Sequence, residues 1–176
     1  MKILIDARLY GLEHGGPGRY VINLLKEIGI LDKKNEYIIL LREKYFNELK
    51  FPAHWSKVLA NFRHYSLTEQ VKLPLLISRL KPDLVHFPHF NVPIAYNGKF
   101  VVTIHDIIMH KFKGTDATTL SMPMYFLKRI GYGKVFRKAV FDSEKIIVPS
   151  KFVKDELVDY YKISPKKVVV TYEGVS

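Results

Sequence analysis

The sequence predicts a doubly wound α/β domain, in which helices cover both faces of a mostly parallel sheet. Its short apolar runs are continuous rather than alternating, which is typical of strands buried on both faces. Segments with helical spacing separate most of these runs, so crossover helices can join the strands. A glycine-rich segment follows the first run directly, where such a sheet forms its ligand-binding edge.

The bulk composition is that of one well-buried domain. The chain has 176 residues, of which 48% are hydrophobic, and it contains no repeat or low-complexity tract. It has no cysteine, which excludes disulfides and thiolate metal sites. The first strand begins at the N-terminus, and no apolar run approaches the roughly 18 residues of a spanning helix, so we expect a cytoplasmic protein.

The first half of the chain alternates strands and helices. Ile3 to Ile5 is too short an apolar run for a helix and predicts a strand. Periodicity, caps and breaking residues then predict a helix from Tyr20 to Ile30, a strand over 36–41 and a short helix or loop over 42–50. A strand over 57–62 follows, and then a helix that begins at a cap at Thr68 and ends at Leu80, with a kink or break at Pro74. The last predicted element of this half is a strand over 84–87.

The second half continues the same alternation. An almost wholly apolar strand is predicted over 100–104, followed by a helical region over about 118–140 that is broken near Gly131 and Gly133. A strand over 145–148, a helix from Lys151 to about Tyr160 capped by Ser150, and a last strand over 167–171 complete the domain.

The glycine-rich segment between the first strand and the first helix is a candidate phosphate site. A helix N-terminus carries unpaired N–H groups and partial positive charge, and Gly15 and Gly16 let a ligand approach the backbone closely. Pro17 suits the first helical turn, and Arg19 adds a charged fork. Val21 stands where a dinucleotide fingerprint has its third glycine, so a tight turn that binds nothing remains an alternative.

Several polar and glycine residues lie at or just beyond the predicted strand ends. Ligands of open α/β sheets collect outside the carboxyl ends of the strands, so we expect these residues to face one crevice. They are Asp6, Gly15, Gly16, His86, His89, His105, Asp106 and Ser150.

The histidines of this set offer hydrogen bonds or base chemistry. His105 ends a buried strand, where it can contact a sugar hydroxyl or a phosphate, although a core histidine bonded to backbone is the simpler alternative. His86 and His89 are three apart, but Pro88 excludes a helix and no carboxylate or cysteine completes a ligand set, so we expect no metal. The loop from His86 to Asn91 is predicted to line the crevice, with aromatic faces suited to a sugar or a lipid head group.

Six segments in series resemble the N-terminal half of a family 4 glycosyltransferase with the GT-B fold, which is Rossmann-like. Their order and spacing cover nearly the whole chain. They are Lys2–Asp6, Gly15–Tyr20, Lys81–His86, Val102–Asp106, Ile147–Ser150 with Lys151 and Val153, and Val169–Val175.

The resemblance implies a retaining transfer of a hexosyl group from a nucleotide-sugar, generally without a metal ion or other cofactor. In such enzymes the glycine pair lies by the donor diphosphate, which falls on Gly15 and Gly16, with Arg19 beside them. The histidine of the T-x-H-D segment usually contacts the transferred sugar, which falls on His105, and Asp106 beside it shapes the site. Asp6, His86, His89, Asn91 and Ser150 are then expected on the acceptor side of the cleft.

One departure from the family pattern concerns the second domain. The family holds its donor there through an E-x7-E pair, and the glutamates of this chain include no pair eight apart. We therefore expect residues 1–171 to form the acceptor-side domain and residues 172–176 to begin an interdomain linker. The C-terminal donor-binding domain is absent from this sequence, so the chain alone is expected to be inactive.

A basic segment predicts peripheral contact with an anionic membrane at its inner face. Several members of the family glycosylate lipid-linked acceptors there, and others act on glycans. Basic segments that alternate with aromatic and aliphatic residues can lie in a membrane interface. The basic residues are Lys128, Arg129, Lys134, Arg137 and Lys138. A core helix with a solvated charged side is the alternative.

Two other functions remain open at this stage. A dinucleotide-binding oxidoreductase domain would have an acidic residue at the end of its second strand to hold the ribose of NAD. Arg42 stands at this position, which argues against NAD but would allow the 2′-phosphate of NADP. The net charge of +11 also suits a basic, non-enzymatic binding module. No nucleic-acid module is recognisable, so we expect no nucleic-acid partner.

Overall fold

The fold is a single seven-stranded sheet. The computed structural model describes residues 1–108 and 122–174, and of these it describes all side chains except those of 122–127. The strands are Lys2–Asp6 (β1), Glu36–Leu41 (β2), Trp55–Leu59 (β3), Leu84–Phe87 (β4), Phe100–Thr103 (β5), Lys145–Val148 (β6) and Val168–Val170 (β7). Their order is β3-β2-β1-β4-β5-β6-β7, and all neighbours are parallel.

Helices cover this sheet from both faces. The α-helices are Gly15–Leu31 (α1), Glu43–Phe46 (α2), Leu67–Leu80 (α3), Met122–Asp142 (α4) and Lys151–Tyr161 (α5), and short 3-10 helices span Leu12–His14 and Pro165–Lys167. Residues of α3, α4 and α5 pack in one apolar cluster, whereas residues of α1 and α2 pack in the other. The predicted doubly wound α/β class is confirmed.

Alternation along the strands explains the continuous apolar runs of the sequence. In β1, Leu4 belongs to the cluster of α3, α4 and α5, and the next residue, Ile5, belongs to the cluster of α1. Ile38 and Ile39 of β2 divide in the same way. Since successive side chains point to opposite faces, a strand buried on both faces has apolar residues at every position.

The strand order reverses beside β1, which positions the candidate site. The chain runs from β1 outward through β2 to β3 and then crosses through α3 to β4 on the other side of β1. β1 and β4 pair in parallel, with Ile5 opposite His86. Connections leave β1 and β4 in opposite directions, so a crevice opens at their carboxyl ends, the usual ligand position in this fold.

The first helix and the third strand begin earlier than the sequence predicted. The helix begins at Gly15 rather than Tyr20, so the glycine-rich segment forms its first turn. Pro17 fits there because its fixed φ is helical and the first turn does not need its N–H. β3 begins at Trp55 rather than at residue 57, because Trp55 is buried in the cluster of α1.

Two helices differ from their predicted caps and breaks. The cap of α3 is Ser66, not Thr68: its hydroxyl accepts a hydrogen bond from the Glu69 N–H at 3.1 Å. Pro74 lies buried within α3 without dividing it. α4 runs unbroken through Gly131 and Gly133, since the apolar residues that follow hold it against the core. The predicted start of α4, over 118–121, lies outside the described residues.

Candidate functional site at the carboxyl edge of the sheet

The N-terminus of α1 lies exposed beyond the end of β1. Gly15 has φ +63°, and a Cβ on Gly15 or Gly16 would meet no atom of the described residues within 4 Å. Within the same residues no side chain caps this terminus, and the Gly15 N–H is bonded to the Leu12 carbonyl. Arg19 is exposed one turn further along the helix. The arrangement can accept an anion.

Gly18 fixes how the preceding segment meets this helix. A Cβ on Gly18 would lie 2.0 Å from the Gly11 carbonyl oxygen and 3.0 Å from the Leu9 carbonyl oxygen. These are backbone atoms, which cannot move aside as a flexible side chain would. Glycine is therefore required at position 18 for packing, whereas Gly15 and Gly16 leave open space.

His105 lies between two hydrogen-bond acceptors after β5. Its Nε2 is 3.0 Å from the Pro88 carbonyl oxygen, and its Nδ1 is 2.9 Å from the Glu173 carboxylate. The Tyr20 ring of α1 meets the imidazole edge to face, with centroids 5.0 Å apart. Tyr20 follows the glycine turn on the same helix, so this contact brings the candidate phosphate site and His105 together.

His86 lies within β4 rather than beyond its end. Its Nε2 is 2.9 Å from the Thr103 hydroxyl, which in turn lies 3.2 Å from the Tyr20 hydroxyl. Burial, and then the charge of His105, lowers the pKa of His86 to about 4. His86 is therefore neutral near pH 7. Its buried side chain bonds to Thr103 and does not face solvent.

His89 lies beside His105 in the loop after β4. The two ring centroids are 6.5 Å apart, and the His89 ring packs against Phe90 at 4.1 Å. Burial, followed by the charges of His105 and His64, lowers the pKa of His89 to about 4. Its Nδ1 is buried without a hydrogen-bond partner in the described part of the chain.

Asp6 and Asn91 belong to a buried ionic network. Arg8 donates to Asp6 Oδ2 at 2.6 Å and to Glu69 Oε1 at 2.7 Å, and the Asn91 amide donates to both Glu69 oxygens at 2.9 Å. All four residues are buried. Burial raises the pKa of Asp6, but the Arg8 charge outweighs it and the net pKa lies below its ordinary value. These side chains hold the edge of the crevice together.

The same network positions Tyr65 at the rim. The Tyr65 N–H donates to Glu69 Oε2 at 2.7 Å, and its backbone has φ +60°, which is uncommon for a residue other than glycine. The other two such residues among residues 1–108 and 122–174, Lys81 and Lys162, are helix C-caps, where this conformation is ordinary. The Tyr65 ring is 66% exposed and lies 6.2 Å from the His89 ring.

Asp106 and Ser150 have local backbone partners. Asp106 is exposed, and its Oδ1 accepts a hydrogen bond from the Ile108 N–H at 3.0 Å. Ser150 caps α5 as expected, accepting from the Val153 N–H at 3.2 Å. The cap occupies the Ser150 hydroxyl, and the bond from Ile108 occupies one of the two carboxylate oxygens of Asp106.

Sequence reasoning missed five residues of this edge. They are Arg8, Tyr20, Tyr65, Glu69 and Glu173. One signal was present: Ser66-Leu67-Thr68-Glu69 is a capping-box pattern, which predicts a Glu69 side chain turned back toward the residues before the helix. The contacts of Tyr20 and Glu173 join positions far apart in sequence and carry no local signal.

The basic segment forms the outer part of α4. Lys128, Lys134 and Arg137 are exposed, and the Arg137 guanidinium lies 5.0 Å from the centre of the Phe141 ring. Lys138 is paired with Asp142 at 2.8 Å. Arg129 is half-buried and has a partner of its own.

The opposite side of α4 packs against the core. Among the side chains described for 128–142, the buried ones are Val135, Phe136, Ala139 and Val140. Within the described residues, no helix is long and apolar enough to cross a membrane, and no three metal-ligating side chains cluster.

Residues 14–176 match a family model described as Glycosyltransferase Family 4. The chain belongs to this family. No curated protein matches it significantly.

Solved structures with the same fold include two nucleotide complexes. One is Anabaena Alr3699/HepE in complex with UDP, with a TM-score of 0.57, 13% identity, and coverage of 99% of this chain and 44% of that one. Another is a variant of the wall teichoic acid polymerase TagF with CDPG, with a TM-score of 0.53, 12% identity, and coverage of 96% and 38%. The chain thus spans less than half the length of these proteins, and the likeness establishes the fold alone.

Proposed function

We propose that this domain is the acceptor-side half of a retaining glycosyltransferase that moves a hexosyl group from a nucleotide-sugar to a glycan or a lipid-linked acceptor. The contact of Tyr20 with His105 carries the proposal. It places Tyr20, five residues after Gly15 on α1, against the histidine that the family resemblance assigns to the transferred sugar. Both features lie at the carboxyl edge beside the β1–β4 switch point.

The donor diphosphate lies against Gly15 and Gly16 in this proposal. The helix terminus supplies N–H groups and partial positive charge, and Arg19 supplies a bidentate donor. The UDP of HepE and the CDPG of TagF support a nucleotide ligand for this fold. The transferred sugar then lies over His105, with Asp106 at its edge, and no metal ion is required.

The acceptor approaches from the rim formed by His89 and Tyr65. The exposed Tyr65 ring offers an apolar face of the size of a sugar ring, and the buried Glu69 fixes its position. Asp6 and Asn91 act through the same buried network, and His86 and Ser150 support the edge from within the sheet and α5.

A second domain completes the enzyme. Residues 1–171 form the acceptor side, residues 172–176 begin the linker, and a donor-binding domain supplies the remaining contacts to the nucleotide. The domain alone is inactive in this proposal, because one side of an open crevice neither encloses the donor nor excludes water.

The test is sugar transfer by a protein that carries both domains. His105→Ala should reduce turnover by orders of magnitude while leaving the fold intact, because the sugar loses a contact at the reacting centre. His54→Ala is the matched control, since His54 is exposed immediately before β3, at the opposite edge of the sheet. Wild-type turnover in the His105 variant would reject the role of this residue.

We also propose that α4 brings the domain to an anionic membrane surface at the cytoplasmic face. Exposed Ile130, Lys134, Arg137 and Phe141 follow one another at helical spacing, so apolar and basic groups form one stripe. The buried side of α4 packs in the core, so this outer stripe carries the contact. Lys128 extends the basic surface, and Arg129 and Lys138 flank it.

Binding to anionic vesicles tests this surface. The pair Lys134→Glu and Arg137→Glu should abolish sedimentation with phosphatidylglycerol vesicles, because anionic lipid attracts the basic side chains. Lys34→Glu with Lys50→Glu is the matched control, since it changes the net charge equally at exposed positions elsewhere. Equal loss in both double variants would indicate attraction by net charge alone and would reject a specific α4 surface.

A further inference from the structure

Both ring nitrogens of His105 are occupied, and the two partners differ in kind. Nε2 lies 3.0 Å from the carbonyl oxygen of Pro88, a backbone atom in the loop after β4. Nδ1 lies 2.9 Å from the side chain of Glu173, which follows β7 and is 44% exposed. The proposed function needs a ring nitrogen that faces the ligand, so one of these contacts has to open.

The partner of Nε2 decides which contact opens. A carbonyl oxygen can only accept a hydrogen bond, so Nε2 carries a proton and donates a hydrogen bond to the Pro88 carbonyl oxygen. In catalytic dyads the carboxylate holds Nδ1 and leaves Nε2 for the substrate. In this protein the backbone holds Nε2 and a carboxylate holds Nδ1, so movement of the Glu173 side chain would free Nδ1 and not Nε2.

We infer that His105 meets its ligand through Nδ1, and that Glu173 occupies this position until a hydroxyl of the transferred sugar replaces it. The inference rests on the proposed function and adds to it the atom and the residue that controls access to it. While Glu173 is in place, its carboxylate occupies the hydrogen-bonding position at Nδ1. When Glu173 leaves, Nδ1 can form a hydrogen bond with the sugar hydroxyl that takes the place of the carboxylate.

The surroundings of His105 favour such a replacement. An ion pair with an exposed carboxylate contributes little in water, so a ligand can displace it. His86 of β4 and His89 of the following loop have pKa values of about 4 and are neutral near pH 7. Tyr20 of α1 presents its ring edge to His105, and Asp106 bonds to its own loop. Among the described residues, Glu173 is therefore the charged group bonded directly to the ring.

Chemical modification of the 176-residue chain tests access to Nδ1 without a donor or an acceptor. Diethyl pyrocarbonate acylates unprotonated, accessible imidazole nitrogens, and peptide mass spectrometry locates the product. In the wild-type chain His105 should react slowly, and Glu173→Ala should raise its rate several-fold. Exposed His54 should react equally in both chains, and buried His86 should resist in both. Glu13→Ala is the matched control, because it removes another carboxylate that is paired on the surface.

Imidazole ¹⁵N chemical shifts give a second readout of the same proposal. The Nε2 shift should be the same in both chains, because Pro88 holds Nε2 in both, whereas the Nδ1 shift should move in Glu173→Ala, because Nδ1 loses its partner. An unchanged His105 acylation rate in the Ala variant, or an Nδ1 shift equal to that of the wild type, would overturn the inference. Neither result bears on sugar transfer, so the proposed function would stand or fall separately in the His105→Ala assay.

Discussion

At the scale of single residues, the edge of the sheet depends on charges that are fully out of solvent. Arg8 bonds to both Asp6 and Glu69, and Asn91, the Tyr65 N–H and His64 Nδ1 also contact the Glu69 carboxylate. Such a network contributes little net stability when complete, but removal of Arg8 takes away the cation that the two buried carboxylates share. The sequence placed Asp6 and Asn91 at this edge but not Arg8 or Glu69, because their pairing is a tertiary property.

Arg8→Met tests this network. The variant removes the cation that the buried carboxylates of Asp6 and Glu69 share, so we expect the free energy of unfolding to fall by about 3–5 kcal/mol in urea denaturation. Lys44→Met is the control, because it breaks the exposed pair of Lys44 with Glu13. Its denaturation midpoint should stay close to that of the wild type. A similar small effect from Arg8→Met would show that the network relaxes or admits water.

His86 makes stability depend on pH. Its pKa is about 4 in the folded protein and about 6.5 in the unfolded chain, so below pH 6.5 the unfolded chain binds a proton more readily. Its contribution, at most about 3 kcal/mol, is complete above pH 6.5 and is lost as the pH falls toward 4. His89 acts in the same direction.

Unfolding free energies measured between pH 7 and pH 4 test this contribution. His86→Gln should flatten the dependence on pH and leave the part that belongs to His89, whereas exposed His54→Gln should leave the slope as in the wild type. A wild-type slope in the His86 variant would mean that other groups cause the acid sensitivity.

At the scale of elements, the strands were more predictable than the helix ends. The bounds of β2, β4 and β6 agree with the apolar runs, because a strand buried on both faces leaves a continuous signal. The start of α1 was missed because three glycines and a proline indicate a loop, although the first helical turn tolerates them. The predicted breaks at Pro74, Gly131 and Gly133 did not occur, because core packing outweighs local propensity.

Two glycines of α1 make a matched pair of substitutions. Gly18→Ala should destabilise the domain markedly, because its Cβ would collide with the Gly11 carbonyl oxygen. Gly16→Ala meets open space in a helix, so its unfolding free energy should stay level or rise by up to about 1 kcal/mol. Thermal unfolding distinguishes the two, and equal loss in both variants would contradict the packing role of Gly18.

At the scale of the whole molecule, the sheet order brings the site together from distant parts of the chain. The sequence located the carboxyl edge, because parallel strands end on the same side, and it placed the glycine turn and His105 there. It did not show that Glu173 reaches His105, or that Tyr20 connects α1 to His105 directly and to His86 through Thr103. These contacts depend on how α1 and the segment after β7 lie on the folded sheet.

In the function proposed for the domain, this edge binds the diphosphate and the sugar of a nucleotide-sugar. Binding can be measured by backbone amide chemical-shift mapping of the domain during titration with UDP to millimolar concentration, with inorganic pyrophosphate as a probe of the phosphates alone. We expect the largest shifts at Gly15, Gly16 and Arg19 with both probes, and at His105 with UDP. Shifts confined to the opposite edge of the sheet, or none with either probe, would contradict it.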